Sequence, residues 1–367
     1  MRSFDYTKYQ TCLWDNEILN YLSQIHEHKG RQELFLLQKP ADVEKLIDVA
    51  KVHSIESSNR IEGIVTTASR LGQLAKEKTS PRNRDESEIA GYRDVLNTIH
   101  ENYEYIPLSS NVILQLHRDL MKYADTGTCG RYKITQNYIK ETKEDGTEVI
   151  RFTPVPPFRT ESCIREICDS FNSVVRDGSV DPLLLIPIFI HDFLCIHPFN
   201  DGNGRMSRLL TLLLLYQAGY PIGRYISMER HIEKTKEAYY AALQDASEGW
   251  HEEEDDPTVF VKYMLGIILA CHREFDTITR LITYTKAVSD SAKGKKRVVT
   301  VSNKAYDIVK ASVDSRIGKF TKREISEICP SISEKSVEAA LKQLLDEGYI
   351  VKHGSGKGTF YTKRKTK

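Results

Sequence analysis

Two apolar runs that enclose a short polar loop constrain this chain more than any other feature. Leu183 to Ile196 has helical composition, and Leu209-Leu210-Thr211-Leu212-Leu213-Leu214-Leu215 is equally apolar. Helices apolar on every side belong in the middle of a structure, so a polar loop joining them marks a site rather than a packing detail. That loop is His197-Pro198-Phe199-Asn200-Asp201-Gly202-Asn203-Gly204-Arg205, with Arg208 just beyond. Pro198 cannot continue a helix and pushes the residue before it out of the helical region, which places His197 at the break. Gly202 and Gly204 permit positive φ, and Asn203 tolerates it better than most residues. Consecutive amides leading into a helix N-terminus form a concave anion site aided by the helix dipole. Arg205 and Arg208 lie on one face of that helix's first turn, where the dipole disfavours cations, so an anion should compensate them. Asp201 offers the hard oxygen that Mg²⁺ takes alongside phosphate oxygens. With His197 as a base beside this cradle, the loop reads as a phosphoryl or nucleotidyl transfer site.

A lone histidine or a lone Gly-Asn-Gly would be an ordinary interhelical turn. Here a base, a carboxylate, two glycines and two arginines share one short stretch. A Walker A loop is excluded, because its lysine is absent. The stretch resembles, at every position, the Fic-domain signature His-x-Phe-x-Asp/Glu-Gly-Asn-Gly-Arg-x-x-Arg. The resemblance implies a mainly α fold, a Fic-type helical bundle with a small β-hairpin flap, that transfers AMP from ATP to a protein hydroxyl. It implies that His197 takes the hydroxyl proton, that Asp201 holds Mg²⁺, and that Gly202, Asn203 and Gly204 cradle phosphates. Arg205 and Arg208 would stabilise the β/γ end. Paired tyrosines such as Tyr239 and Tyr240 are usually packing residues; in Fic relatives an aromatic at this place lines the adenine pocket.

A second motif lies upstream. In Ser54-Ile55-Glu56-Ser57-Ser58-Asn59-Arg60-Ile61-Glu62-Gly63, the glycine looks like a helix stop, which leaves Glu62 near a helix C-terminus where an anion is disfavoured. Physics alone reads a surface glutamate. Ser58-x-x-x-Glu62-Gly63 nevertheless resembles the inhibitory motif of one regulatory class of Fic proteins. That resemblance implies that Glu62 pairs with Arg208 and displaces the γ-phosphate of ATP.

The chain's 367 residues suggest two or three domains. Division is expected at 1–100 (helical, with the inhibitory motif), 101–280 (Fic core), 281–297 (linker) and 298–367 (winged helix-turn-helix). A helix is expected from Pro40, with Val43, Leu46, Ile47 and Ala50 on its apolar face. Thr79–Ser87 reads as a loop before a helix over Glu88–Tyr103, and Ser109 or Ser110 caps the next. His117 in that helix reads as a core or cap-network histidine. Strand-like Arg131–Ile139 and Glu148–Phe152, with Asp145-Gly146 as the turn, predict a hairpin. Further helices are expected over Ser162–Val175 and Val259–His272, with Ser289–Arg297 as linker.

A net charge of +1 gives no global field favouring nucleic acid or membrane. The start lacks a signal-peptide core and no apolar run is long enough to span a bilayer, so no membrane association is expected. Seven scattered cysteines form no disulfide framework or zinc spacing and fit a cytoplasmic protein. The partner implied by the resemblance is a target protein bearing a hydroxyl side chain. DNA is the other candidate partner, through the C-terminal domain. The would-be recognition helix sets Glu334, Glu338, Asp346 and Glu347 against Lys335 and Lys342, a poor balance for phosphate neutralisation. Protein contact or a homodimer is at least as good a reading there. Two other functions stay open: a nucleotide-sensing transcriptional regulator, and a related enzyme that removes AMP or moves another phosphate group.

Overall fold

The computed structural model of the chain describes residues 2–38, 40–124, 127–142, 147–293, 303–314, 319–329 and 332–364. It divides into two units, Met1–Arg273 and Glu274–Lys367. The first begins with helices α1 (Asn16–Gln38), α2 (Pro40–Ile61), α3 (Ala68–Ala75), α4 (Arg84–Asn102) and α5 (Ser110–Met121). A hairpin follows, of strands β1 (Ile139–Thr142) and β2 (Glu148–Phe152). Then come α6 (Pro157–Asp177), α7 (Pro182–Ile196), α8 (Asn203–Gln217), α9 (Met228–Lys234), α10 (Lys236–Ser247) and the part of α11 (Thr258–Lys293) up to Arg273.

The two apolar runs are the centre of this unit. Every residue of α7 from Leu183 to Ile196 is buried, and α8 is buried from Arg205 to Tyr216. A helix surrounded on all sides has no need of a polar face, which is why neither run shows one. Local signals set several ends. Asp181 caps α7 through the Leu183 amide, and Pro182 takes the first position, where no amide donor is required. Gly63, at φ 81°, ends α2 as the sequence suggests.

Three expectations need correction. α4 begins at Arg84 instead of Glu88, because the Asn83 side chain accepts from the Glu86 amide and caps the helix inside the stretch read as loop. The first strand begins at Ile139, and Arg131–Tyr138 runs as loop; its polar groups are spent on the loop after α7, as described below. The helix expected to stop at His272 continues to Lys293, through residues 289–293 of the expected linker. The rest of that linker, 294–297, lies outside the described residues, and so does the Asp145-Gly146 turn. β1 and β2 pair antiparallel, with Thr142 opposite Glu148 and Ile139 opposite Phe152.

In the second unit, α12 (Asn303–Asp314), α13 (Lys322–Ile328) and α14 (Glu334–Asp346) pack with strands β3 (Lys319–Phe320), β4 (Ile350–His353) and β5 (Phe360–Lys363). The strands form an antiparallel sheet in the order β3-β5-β4. Val309, Val313, Phe320, Ile325, Val337, Leu341, Leu344 and Ile350 make its core. Thr321 and Glu324 form a reciprocal capping box at the start of α13. Among the described residues, no helix is long and apolar enough to cross a membrane.

Candidate active site

His197 is the C-cap of α7 and adopts a left-handed conformation, φ 50°, ψ 62°. A non-glycine residue there costs about 1–2 kcal/mol, and strain of this kind is held only where the surroundings over-determine it. Its Nδ1 lies 3.2 Å from the Leu194 carbonyl oxygen, which can only accept. The proton therefore sits on Nδ1, and Nε2 presents a lone pair. Burial pushes the imidazole down to about 4, the Leu194 hydrogen bond partly opposing and the charge of Lys133 adding to the fall.

The surroundings that fix this turn are Lys133 and Asn137. The Lys133 amide donates to Pro198 O at 2.9 Å, and its ammonium donates to Ile196 O at 3.0 Å. Asn137 Nδ2 donates to His197 O at 3.1 Å and to Phe199 O at 2.9 Å. Every carbonyl from Ile196 to Phe199 is thus taken by one of two residues. Asn203 closes the loop from the other side, accepting from Phe199 N at 2.9 Å and donating to Phe199 O at 2.7 Å. Desolvation pulls the Lys133 ammonium down to about 8. Nothing in the sequence marked Lys133 or Asn137, since both lie in a stretch that reads as strand.

His117 belongs to a hydrogen-bonded network, as its sequence context suggests. Its Nδ1 accepts from the Gly130 amide at 3.1 Å, so Nε2 carries the proton and donates to Asp201 O, also at 3.1 Å. The ring stacks on Phe199 with centroids 3.7 Å apart, and burial lowers its pKa to about 4.

α8 starts at Asn203 after Gly202, whose φ is 83°. The first-turn amides of Asn203, Gly204 and Arg205 have no carbonyl partner earlier in the helix. At this N-terminus stands the carboxylate of Glu62. A Cβ placed on Gly204 would lie 2.2 Å from Glu62 Oε1, and the same oxygen accepts from Arg208 Nη2 at 2.7 Å. Arg208 Nε donates to Ser58 Oγ at 2.8 Å and Nη2 to Ser58 O at 2.9 Å. Burial works against the Arg208 charge, but Glu62, Tyr239 and Tyr92 hold it above its ordinary value. Glu62 thus sits past the end of its own helix, where an anion is disfavoured, and at the start of another, where one is favoured.

Asp201 is half exposed. Its Oδ1 accepts from the Gly202 amide at 2.6 Å and lies 3.4 Å from Arg205 Nη2. Its Oδ2 lies 3.1 Å from Arg84 Nη2. Arg205 is buried, with Nη2 2.7 Å from Glu88 Oε2. Its Nε and Nη1 have no partner among the described residues. Arg84 and Glu88 escaped the sequence reading because they fall at the loop-to-helix boundary that was misplaced.

A cavity of about 620 Å³ brings these parts together. His197, Gly204, Arg208 and Glu62 line its base; Tyr239, Tyr240 and Gln244 of α10 form one wall, and Ile139, Arg151 and Phe152 of the hairpin another. Tyr239 is buried, Tyr240 is exposed on one side, and their rings meet edge to face at 5.3 Å. Both tyrosines therefore face the same space as His197. Asp201 and Arg205 do not line this cavity. Among the described residues no cluster of three His, Cys, Asp or Glu could hold a metal by itself.

This loop between two buried helices, with a hairpin over it, can be set beside known proteins. Residues 107–215 match the profile of the Fic/DOC family. The chain is 30% identical over 211 residues to "Protein adenylyltransferase fic-1" of Caenorhabditis elegans, covering 57% of this chain and 36% of that protein. It is 27% identical over 248 residues to "Protein adenylyltransferase Fic" of Nematostella vectensis, covering 64% and 51%. The chain thus spans about a third to a half of these relatives' length. Among solved structures, a Fic family protein from Desulfovibrio desulfuricans G20 superposes with a TM-score of 0.59 at 20% identity, covering 97% of this chain and 98% of that one. A fragment of C. elegans Fic-1 gives 0.53 at 21% identity, covering 73% of each. These likenesses establish the Fic fold, and the mainly α architecture with its small hairpin agrees with the expectation from sequence.

Proposed function

We propose that this chain transfers AMP from ATP to a Ser, Thr or Tyr hydroxyl of a protein, and holds that activity in check through Glu62. The observation that carries the reading is the Nε2 lone pair of His197, presented to a cavity that also holds Arg208 and the first turn of α8. The adenylyltransferase names of the relatives point the same way.

His197 Nε2 accepts the hydroxyl proton while the oxygen bonds to the α-phosphorus. The bond from that phosphorus to the bridging oxygen breaks, and pyrophosphate leaves. Asn203 and Gly204 hold phosphate oxygens through amides at the head of α8 that are already oriented, while Gly202, whose own amide donates to Asp201 Oδ1, shapes the cradle through its positive φ. Arg208 faces the β/γ end, and Arg205, buried outside the cavity lining beside Asp201, stabilises that end by its charge. Tyr239 and Tyr240 flank the base, and the hairpin holds the target segment. Asp201 is the residue to hold Mg²⁺: a half-exposed carboxylate without protein co-ligands suits an ion that keeps waters and phosphate oxygens. When bound, Mg²⁺ neutralises phosphate charge and fixes the triphosphate's geometry.

Glu62 occupies the spot at Gly204 and Arg208 where a terminal phosphate would lie, so the resting arrangement is the inhibited one, with Ser58 anchoring the arginine. We divide the chain as 1–100, 101–280, 281–297 and 298–367. We read the last part as a winged helix whose acid-rich α14 favours contact with protein, a second copy included, over DNA. Incubation of the full chain and its Glu62→Gly variant with α-³²P-labelled ATP and Mg²⁺, followed by mass spectrometry of labelled proteins, tests the transfer. Absence of AMP on any protein, with ATP intact, would overturn it.

A further inference from the structure

The two oxygens of Asp201 are occupied differently. Oδ1 is committed to the Gly202 amide and approached by Arg205. Among the described residues Oδ2 has one hydrogen-bond partner, Arg84 Nη2 at 3.1 Å. Arg84 stands at the first position of α4, its side chain 65% exposed, and its Nε donates to Glu88 Oε1 at 2.7 Å. Glu88 is buried and binds Arg205 through its other oxygen at 2.7 Å. Arg84, Glu88, Arg205 and Asp201 therefore form a closed ring of alternating charge. Two acids and two bases leave it neutral.

We infer that Arg84 is a displaceable counter-ion that weakens binding of a bare divalent cation to Asp201, so that the metal enters this site preferentially together with a polyphosphate. The inference rests on Asp201 being the metal-holding carboxylate, as read above. A dication placed on Oδ2 would meet two guanidinium groups, and the ring's other acid, Glu88, already serves both. Arg84 is the ring member able to leave. Its link to Asp201 is a surface pair, weakly held, and its Nη2 can swing to solvent while Nε stays on Glu88. Arg205 is buried and cannot move in this way. A polyphosphate arriving with the cation supplies the negative charge the ring lacks, and the freed Arg84 then faces an anion instead of a competitor.

The size of the effect follows from charge and distance. A dication about 5 Å from a guanidinium in a water-like dielectric is repelled by an amount equal to roughly tenfold in affinity. Physiological salt reduces this to roughly threefold.

The test is Mn²⁺ binding to the full chain, read from the electron paramagnetic resonance signal of the free ion. The proteins are wild type, R84Q, R84M, R84K, D201A and R84Q/D201A. Without nucleotide, R84Q and R84M should bind Mn²⁺ roughly three- to tenfold more tightly than wild type, with R84K between them. A non-hydrolysable ATP analogue should shrink that difference. Equal or weaker binding by both neutral variants overturns the inference, while loss of binding in D201A would leave the role of Asp201 standing. If the tighter binding of R84Q survives in R84Q/D201A, the metal lies elsewhere and the assignment of Asp201 itself falls. Arg84 is exposed, so both neutral variants should melt within a few degrees of wild type.

Discussion

Glu62 and Arg208 meet at 2.7 Å directly over Gly204, so one carboxylate covers both an arginine and the head of a helix. The guanidinium is a planar donor suited to either a carboxylate or a phosphate, and it cannot serve both at once. Taking the pair to favour the closed arrangement by about 3 kcal/mol, productive nucleotide binding is suppressed roughly a hundredfold. Glu62→Gly should raise initial rates of AMP transfer by something approaching that factor, and Glu62→Asp by less. Adding Arg208→Ala to Glu62→Gly should lose most of the gain. Rates at one ATP concentration for single and double variants check this; a Glu62→Gly rate equal to wild type would mean the segment is an ordinary helix end.

His197→Ala should abolish transfer in the Glu62→Gly background while leaving nucleotide affinity within a few-fold. Loss of a general base costs about 10²–10⁴ in rate. Calorimetric titration with an ATP analogue, alongside the labelling assay, separates the two effects.

Asp201→Ala should remove the metal dependence of transfer, and Arg205→Ala should weaken nucleotide binding. Arg205 also neutralises buried Glu88, so its replacement leaves that carboxylate with the exposed Arg84 as its remaining ion-pair partner among the described residues and should lower the melting temperature as well. Asp201, half exposed, should show little change in stability. A metal profile in Asp201→Ala that matches wild type would place the ion on another group.

The clasp on the loop carbonyls predicts a defect without any lost contact to substrate. Asn137→Ala frees two carbonyls, His197 O and Phe199 O. It should reduce kcat about ten- to a hundredfold with a smaller change in KM, since misplacing a base by a fraction of an ångström is enough. Lys133→Met should do the same. A Glu62→Gly/Asn137→Ala double variant as fast as Glu62→Gly alone would show that the turn holds itself.

The pH dependence follows from buried histidines held below their ordinary value, His197 for catalysis and His117 among those that bear on stability. With His197 near 4, kcat/KM of the Glu62→Gly variant should show no acid limb around 6.5, where an ordinary histidine would give one. His117, also near 4 when folded, takes up a proton near 6.5 once unfolded. The unfolded state therefore binds more protons between those values, and stability falls as pH drops. The slope should be up to about 1.4 kcal/mol per pH unit from this residue. Urea unfolding at pH 7, 6 and 5 reads the summed slope, to which buried His100, His191 and His197 also contribute, and the difference between wild type and His117→Gln isolates this residue.

The sequence was most legible where a residue's own chemistry dictates its backbone. Pro198 forces a break, Gly202 and Gly63 take up positive φ, and the unbroken apolarity of 183–196 places that helix at the centre. The site legible from these residues was the loop. Most of what supports the loop was not legible, because Lys133, Asn137 and Glu88 reach it through contacts 60 or more residues distant in sequence and carry no local pattern. Arg131–Tyr138 shows why: its alternation of polar and apolar residues reads as a strand, yet Lys133 and Asn137 point inward to satisfy carbonyls of another segment. Asn83 was missed for a different reason. Its capping bond is local, but the neighbouring Pro81 and charged residues look like a longer loop.

Gly204 has no side chain, and two anions depend on that bareness in turn: the Glu62 carboxylate at rest and, on our reading, a phosphate in action. An Ala at this position would evict Glu62, with its Cβ 2.2 Å from the carboxylate oxygen, but it would obstruct the nucleotide by the same methyl group. Random mutation therefore has few ways to release the proposed activity from the loop side. Gain-of-function alleles in a genetic screen should fall in the segment from Ser54 to Gly63, while changes in the loop should score as nulls, so restraint and activity are lost by different genetic routes.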